Sequence, residues 1–491
     1  MRILRWLFFG ALGLFATVGL LTVLAVAGSA LLWRDFTGPR EPVPERTVLQ
    51  LDLRRPVVEA DPVRCDALAH LLPPVVEADP VRLPLIGALD DSMPLRALVE
   101  GLEAAADDER VVGLVARVNG SQLGIAQIEE LRDAIATFRA SGKPAFAFAE
   151  TFGEGGHATL DYYMASAFDE IWIQPSGDLD ITGIRLEMPF MRELLVDLGI
   201  RPEFATREDY KSAADMFMRD TMSPQHRQNL EQLVRSWMTL IVGDIAMARG
   251  LEPADVQGLI DRAPLSAEDA LSAGLIDGAA YRDEIESRIR ANGDDAALYD
   301  FGDYARQIAP ADDGARLALI YGIGPIHLGE GSGETFGDAD MAADGIVAAF
   351  RQARDDGDVA AIVFRLDSPG GSYVASDAIW REVRRTVDAG IPVVVSMGNV
   401  AASGGYFVAA PATAIVADRG TVTGSIGVVA GKFVIDGLWS DIGVDWDAVG
   451  FGANADMFSP NQPFTEMQWA KLQAILDRIY ADFKSRVAQG R

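Results

Sequence analysis

An internal repeat of alternating strand and helix patterns constrains the fold of this chain more than any other feature of its sequence. The stretch RVVGLVARVNGSQLG, which begins at Arg110, resembles DVAAIVFRLDSPGGS, which begins at Asp358. Downstream, LRDAIATFRASGKPAFAFAE from Leu131 matches IWREVRRTVDAGIPVVVSMG from Ile379, and each reads as a helix, a glycine break and an apolar strand. Strands that alternate with helices in this way predict parallel sheets with crossover helices.

Two copies of one α/β unit therefore account for most of the chain. Shorter matches extend the repeat, because DLGI recurs as DIGV and ADMF occurs twice. We place the first copy at residues 47–310 and the second copy at residues 316–491. The second copy has no counterpart to residues 251–278 of the first, so we expect this sequence to be a truncated form or a fragment of a longer chain.

The chain begins with a long uncharged segment that predicts a membrane anchor over residues 1–36. From Trp6 to Trp33 there is no charged residue, and roughly 20 apolar residues suffice to span a bilayer as a helix. Arginines before the span favour a cytoplasmic N-terminus, with the body of the chain across the membrane. A cleaved signal peptide is the alternative, because AVA and GSA offer small-residue cleavage sites. Either interpretation exports the body of the chain, which the proline-rich residues 37–46 link to the span.

Charge and the scarcity of cysteine and histidine exclude several classes of protein. The formal net charge is −29, and an anionic surface repels phosphate backbones, so we expect no nucleic-acid partner. The single cysteine, Cys65, excludes an internal disulfide, and the four histidines show no metal-ligand spacing. We therefore expect no metal and no cofactor. The stretch PVVEADPVR occurs twice, from Pro56 and from Pro74, which indicates a tandem duplication in a surface loop.

A serine in a turn between an apolar strand and a helix is the first candidate catalytic residue. Ser403 lies in NVAASGGYFVAA and precedes Gly404, so its hydroxyl and the next backbone N–H can both be exposed. A second glycine turn, RLDSPGGS, contains Gly370 and Gly371, whose N–H groups could join that of Gly404 in an oxyanion hole. The alternative is a tightly packed turn of small residues. No histidine lies near this serine in the sequence to serve as its base.

The other copy of the repeat supplies a candidate base. Alignment of the copies places Lys211 opposite Gly452, and it places Ser403 opposite Leu160. The serine is thus present only in the second copy and the lysine only in the first, as expected if the two copies share one site. An ordinary lysine has a pKa near 10.4, but burial in an apolar pocket lowers that pKa, and the neutral amine can then accept the serine proton. A charged surface lysine beside two acidic residues is the alternative.

Four motifs resemble those of the signal peptide peptidase A (protease IV) family of membrane-anchored bacterial serine proteases. They are EDYKSAADMF, FRLDSPGGS, VVVSMGNVAASGGYFVAAPA and VTGSIGV. The resemblance implies a tandem duplicated α/β fold, similar to crotonase and to Clp protease, with Ser403 as the nucleophile and Lys211 as the general base. It also implies that Ser425 helps to hold the lysine. The residues that match the family's oxyanion-hole turns are Gly370, Gly371 and Gly404.

The resemblance further implies a cellular role. Members of the family degrade cleaved signal peptides and other apolar peptides, and they form homotetramers with the active sites inside. We therefore expect a single-pass protein of the bacterial inner membrane with its catalytic body on the periplasmic side. Two other functions stay open: an acyl-thioester-binding relative of crotonase, and a catalytically inactive scaffold tethered to the membrane. An exported location argues against the first function, and the presence of both Ser403 and Lys211 argues against the second.

Overall fold

A computed structural model of the chain describes residues 41–60, 92–120, 122–308, 314–330 and 340–491. The predicted anchor segment from Trp6 to Trp33 and the single cysteine, Cys65, lie outside these residues. Among the residues that are described, no helix is both long enough and apolar enough to cross a membrane.

In the first half of the chain, strands alternate with helices, as the repeat predicts. The strands are β1 (Thr47–Asp52), β2 (Val57–Val58), β3 (Met93–Pro94), β4 (Val111–Arg117), β5 (Ala145–Ala149), β6 (Glu170–Ile173), β7 (Asp178–Leu179), β8 (Arg201–Arg207), β9 (Leu265–Ser266), β10 (Gly278–Ala279) and β11 (Ala297–Asp300). The helices are α1 (Leu95–Asp107), α2 (Ile125–Ala140), α3 (Thr159–Ala165), α4 (Arg192–Asp197), α5 (Asp215–Met218), α6 (Pro224–Arg249), α7 (Pro253–Ile260), α8 (Ala267–Ser272), α9 (Arg282–Asn292) and α10 (Phe301–Ala305).

The second half of the chain repeats this alternation. Its strands are β12 (Arg316–Ile323), β13 (Ile326–His327), β14 (Met341–Ala342), β15 (Val359–Ser368), β16 (Val393–Ala402), β17 (Ala414–Ala417), β18 (Val422–Gly424) and β19 (Val428–Val434). Its helices are α11 (Ala343–Asp355), α12 (Tyr373–Asp388), α13 (Gly404–Ala409), α14 (Asp436–Asp441) and α15 (Glu466–Gly490).

Two separate parallel sheets share one strand order. The first sheet has the order β10-β6-β5-β4-β1-β11, and the second has the order β12-β15-β16-β17, with β18 also pairing with β16. All of these pairings are parallel. Strands β1, β4, β5 and β6 thus have the same arrangement as β12, β15, β16 and β17. The prediction of a mixed α/β fold with parallel sheets is confirmed, whereas the boundaries at residues 310 and 316 stay a prediction.

The central strands of the first sheet carry apolar runs because both faces of the sheet are covered. Every residue of β5 is buried, and β4 is buried at five of its seven residues. Parallel strands buried on both faces show continuous apolar runs rather than alternation. In the second sheet, Ile379 and Val383 of α12 pack into one buried cluster with Val395 of β16. Each half therefore has its own hydrophobic core.

An antiparallel strand pair joins the two halves. Strand β8 of the first half pairs with β19 of the second, from Arg207 opposite Val428 to Arg201 opposite Val434. Beside this pair pack the aromatic rings of Phe204, Phe217 and Phe433. Their centroids lie 5.0–6.1 Å apart, in edge-to-face or stacked geometry. The end of β8 and the beginning of β19 are consequently neighbours, although they lie far apart in the sequence.

A buried ion pair also connects the halves. The guanidinium group of Arg365 on β15 contacts both carboxylate oxygens of Glu59, at 2.8 and 3.0 Å, and it lies 2.7 Å from Glu130. Burial raises the pKa of Glu130 to about 7, and the nearby positive charge of Arg365 offsets only part of this rise. Glu59 belongs to the first PVVEADPVR stretch and is only 8% exposed. The surface-loop interpretation of that stretch is therefore wrong at Glu59, because the carboxylate is buried against an arginine.

Candidate active site

Ser403 occupies a strained turn between β16 and α13. Its backbone has φ 54° and ψ −117°, and a positive φ is uncommon for residues other than glycine. The Ser403 N–H donates a hydrogen bond to the carbonyl oxygen of Gly424, at 2.9 Å, which fixes the turn against β18. Strained backbone of this kind persists where the surrounding structure enforces it, and it is concentrated at functional sites.

Strand pairing places Ser425 beside Ser403. The parallel register of β16 and β18 sets Ala402 beside Gly424, so the next residues of the two strands are also neighbours. Ser425 has a φ of 50°. Of the four non-glycine residues with positive φ in the described part of the chain, Ser403 and Ser425 are two.

Lys211 reaches the same point from the first half of the chain. It follows the end of β8, which pairs with the beginning of β19. A Cβ atom on Gly427 would lie 3.1 Å from both Cβ and Cδ of Lys211, so the missing side chain leaves room for the lysine stem. The Lys211 Nζ atom lies 3.0 Å from Ser403 Oγ, and it lies 3.0 Å from Oγ and 3.1 Å from the carbonyl oxygen of Ser425.

A charged ammonium group can make these three contacts with its three N–H donors, and a neutral amine can make them as well. A neutral lysine has two N–H donors and one lone pair. The two N–H groups can be donated to the Ser425 oxygens, and the lone pair can accept the hydroxyl hydrogen of Ser403. Desolvation by burial lowers the pKa of Lys211 below its ordinary value of 10.5, and this shift favours the neutral form. Burial thus acts on this lysine in the opposite direction to the raised pKa that the surface-lysine alternative requires.

Two glycine turns pack closely against the serine. A Cβ atom on Gly370 would lie 2.5 Å from the Gly404 nitrogen and 2.9 Å from Ser403 Cβ, and a Cβ atom on Gly404 would lie 3.1 Å from the Gly371 nitrogen. Gly370 also has a φ of +95°, where side chains are disfavoured. Neither the N–H of Gly371 nor that of Gly404 donates a hydrogen bond to another residue that the structure describes. Both donors are therefore available to an oxygen atom bound beside Ser403.

The structure brings all six candidate residues of the sequence to one place, but it changes one detail of the repeat alignment. The Ala158 N–H donates to the Asp180 carbonyl oxygen, at 3.1 Å, as the Ser403 N–H does to Gly424. Ala158, rather than the Leu160 of the sequence alignment, is thus the counterpart of Ser403. The sequence analysis did not identify Gly427. Its only signal in the sequence is its place as the second glycine of the TGSIG motif.

Comparison with known proteins identifies the family. The model of "Peptidase family S49" matches residues 137–294 and 385–491. The matched residues include Lys211, Ser403 and Ser425, whereas the glycine turn at Gly370 and Gly371 lies between the two matched stretches.

Three relatives are similar over most of the chain. "Protease 4" of Salmonella typhi is 32% identical over 425 residues, which cover 83% of this chain and 67% of the relative. "Protease 4" of Haemophilus influenzae is 30% identical over 415 residues, which cover 80% of this chain and 65% of the relative. "Serine protease SPPA, chloroplastic" of Arabidopsis thaliana is 29% identical over 412 residues, which cover 82% of this chain and 60% of the relative.

The chain thus spans about two thirds or somewhat less of the length of these relatives. The matches to the family and to the protease 4 proteins confirm the resemblance to signal peptide peptidase A. The chain belongs to peptidase family S49.

Proposed function

We propose that this protein is a serine endopeptidase in which Ser403 is the nucleophile and Lys211 is the general base. The observation that carries the proposal is the position of Lys211 Nζ, 3.0 Å from Ser403 Oγ and held by both oxygens of Ser425. A nucleophile and a base within hydrogen-bond distance, with a third group orienting the base, are the recurring arrangement of activated serine nucleophiles. Membership of a peptidase family supports the same reaction.

The proposed reaction begins when the neutral amine of Lys211 takes the hydroxyl proton of Ser403. The serine oxygen attacks the carbonyl carbon of the scissile peptide bond, and the carbonyl oxygen becomes an oxyanion. The N–H groups of Gly371 and Gly404 would donate hydrogen bonds to this oxyanion. The Lys211 ammonium then protonates the leaving amine. The regenerated amine takes a proton from a water molecule, which attacks the acyl carbon, and the ammonium returns that proton to Ser403 Oγ as the acyl bond breaks. Ser425 keeps the amine aimed at Ser403 throughout.

We also propose apolar peptides, and cleaved signal peptides in particular, as the substrates. Tyr210 and Ile426 are the immediate neighbours of Lys211 and Ser425, and their side chains are 54% and 36% exposed, which offers apolar contacts beside the dyad. A relative from Enterococcus faecium, 33% identical over 141 residues that cover 29% of this chain and 41% of the relative, is named "Putative signal peptide peptidase SppA".

The proposal includes the remaining expectations about architecture and location. These are a tandem duplicated fold similar to crotonase and to Clp protease, and a single membrane span from Trp6 to Trp33 in the bacterial inner membrane. The catalytic body would lie on the periplasmic side and assemble as a homotetramer. The uncharged N-terminal segment supports the membrane span, and the matching strand orders of the two sheets support the tandem duplication.

A peptide assay on the full chain in detergent tests the proposed function. We expect hydrolysis of a fluorogenic peptide with leucine or alanine before the scissile bond, and much slower hydrolysis of the same peptide with aspartate at those positions. Binding of an acyl-CoA without hydrolysis of either peptide would contradict the proposal and favour the acyl-thioester alternative.

The rate of hydrolysis should rise with pH, because only the neutral amine of Lys211 can accept a proton. Below the pKa of Lys211, kcat/KM should rise about tenfold for each pH unit. Because burial lowers that pKa, the curve should level off at a pH below 10.5, the ordinary value for lysine. The measurement is kcat/KM between about pH 6 and pH 10. A rate that falls with pH throughout this range, or that still rises about tenfold per pH unit at the upper end of the range, would contradict Lys211 as a base with a lowered pKa.

Replacing Gly370 by alanine should lower kcat at least about 100-fold, the size of effect expected when one oxyanion-hole donor is lost. The new methyl group would meet the Gly404 nitrogen at 2.5 Å and displace the turn that carries Ser403. Gly274→Ala is the matched control, because Gly274 also has a positive φ but a methyl group there would meet none of the described residues within 4 Å. Equal losses of activity in the two variants would assign the effect to backbone strain and not to the oxyanion turn.

A further inference from the structure

Two segments of the chain are unpaired although their counterparts in the repeat form strands. Residues 445–451 (DWDAVGF) follow DIGV, just as β8 follows DLGI in the first copy. Residues 184–190 (IRLEMPF) precede α4, just as β19 precedes α14. The residues before these two helices have nearly the same backbone angles, φ −110° and ψ 8° at Met191 against φ −116° and ψ 17° at Ile435. Residues 184–190 and 445–451 are thus the counterparts of β19 and β8.

Both segments expose apolar side chains. Neither segment forms a strand, and all seven residues of 445–451 are exposed. Val449 and Phe451 have exposures of 103% and 104%, which means that no residue described by the structure covers them. Leu186, near the centre of the other segment, is 39% exposed. Contiguous exposed apolar surface of this kind marks interaction sites.

The glycines that end the two helices beside these segments also differ, because one is packed against another helix and the other is not. Gly199, at the end of α4, packs against α14: a Cβ atom on Gly199 would lie 2.5 Å from the Gly437 carbonyl carbon, and the Gly199 carbonyl oxygen accepts a hydrogen bond from Leu438. Gly443 is the counterpart of Gly199 at the end of α14, and a Cβ atom there would meet nothing within 4 Å among the described residues. Glu193 is the counterpart of Gly437, and its side chain would prevent the close backbone contact that Gly437 makes with Gly199. A partner on this surface would therefore have to bind through a strand pair.

We propose that residues 184–190 of one chain pair in antiparallel fashion with residues 445–451 of a second copy of the chain. The occupant is a second copy because the pairing of β8 with β19 shows, within this chain, that these two repeat segments bind each other. The contact uses different surfaces on the two chains, so it is a head-to-tail contact that can close into a ring. The proposal names the surface of the proposed homo-oligomer, and it does not depend on the peptidase reaction.

The register of β8 and β19 fixes the expected register of the new pair. Transferring it sets Ile184 opposite Phe451 and Leu186 opposite Val449. Exposed apolar side chains would thus cover each other across the strands, which is the contact that stabilises an antiparallel pair. A proline, Pro189, fits a segment that would pair on one edge only.

Disulfide trapping on the full chain tests this pairing. In a Cys65→Ser background, Glu187→Cys and Ala448→Cys would stand directly opposite each other, about 4.5–5.5 Å apart between Cα atoms, within the range of a disulfide. We expect covalent dimers and larger species on a non-reducing gel, and their loss on reduction. The control is Arg185→Cys with Ala448→Cys, which are diagonal neighbours about 7–8 Å apart and should cross-link far less. Cross-linking only within one chain, or equally in both pairs, would overturn the proposal.

Negative charges introduced into the proposed strand pair give a second, independent test, with the mass of the assembly as the measured quantity. We expect the double variant Val449→Asp and Phe451→Asp to lower the mass of the detergent-solubilised protein, measured by analytical ultracentrifugation, to that of a single chain. The control is Leu271→Asp, whose side chain is 45% exposed elsewhere on the surface. A wild-type protein that is monomeric, or a double variant that keeps the wild-type mass, would overturn the interface. A chain that assembles but cleaves no peptide would overturn only the proposed function.

Discussion

Replacing Ser403 by alanine is expected to lower kcat/KM for an apolar peptide by a factor of about 10⁴ or more, because no other group can form the acyl-enzyme. Alanine keeps the Cβ atom, so only the hydroxyl group is lost. The backbone turn is fixed by the hydrogen bond from the Ser403 N–H to Gly424, and this bond does not involve the side chain. The measurement is kcat/KM, with the melting temperature as a check on folding.

Ser485→Ala is the matched control for this variant, because Ser485 is exposed on α15, at the surface of the second half. It should keep the activity of the unmodified protein. Turnover by the Ser403→Ala variant within about tenfold of the unmodified protein would show that another residue is the nucleophile.

Replacing Lys211 by methionine is expected to lower kcat/KM by about 10³–10⁴, near the upper end of what a general base contributes. The loss should fall mainly on kcat, because the amine contacts the reacting oxygen of Ser403 at 3.0 Å. Lys211→Arg should be equally inactive, since a guanidinium group stays charged and cannot accept a proton. This arginine variant separates the loss of a base from the loss of a positive charge.

The melting temperature should show that the Lys211→Met variant loses activity without unfolding. Burial lowers the pKa of Lys211, so below that pKa the protonated side chain destabilises the folded state and methionine should not lower the melting temperature. Between the lowered and the ordinary lysine pKa, the unfolded chain binds more protons, so this group makes stability rise with pH. Lys471→Met, at an exposed position on α15, is the activity control. Activity of Lys211→Arg close to that of the unmodified protein would show that a charge, not a base, is needed.

The repeat in the sequence predicted the parallel α/β fold because both copies carry the same order of apolar strands and helices. It also predicted Ser403, whose turn is visible in the local pattern of small residues. Lys211 was harder to predict, because its position depends on the pairing of β8 with β19. Strand β8 (RPEFATR) contains proline and charged residues and shows no clear strand periodicity, so neither its partner nor its register could be predicted from the sequence.

Two predictions about particular residues failed for physical reasons. The PVVEADPVR stretch contains charged residues and two prolines, which is typical of a surface loop, but Glu59 is buried because Arg365 binds both of its oxygens. The counterpart of Ser403 was placed at Leu160 instead of Ala158, because the loops that precede α3 and α13 differ in length and composition. Long-range ion pairs and gaps between diverged copies leave no local signal in the sequence.

Covalent labelling of Ser403 tests the central claim most directly, because it reports the reactivity of the serine without requiring the natural substrate. A fluorophosphonate with an apolar chain should modify the full chain once, and peptide mass spectrometry should locate the adduct on Ser403. The labelling rate should rise with pH and should fall by about 10³ in the Lys211→Met variant. An adduct on another residue, or an unchanged labelling rate in that variant, would contradict a serine nucleophile activated by Lys211.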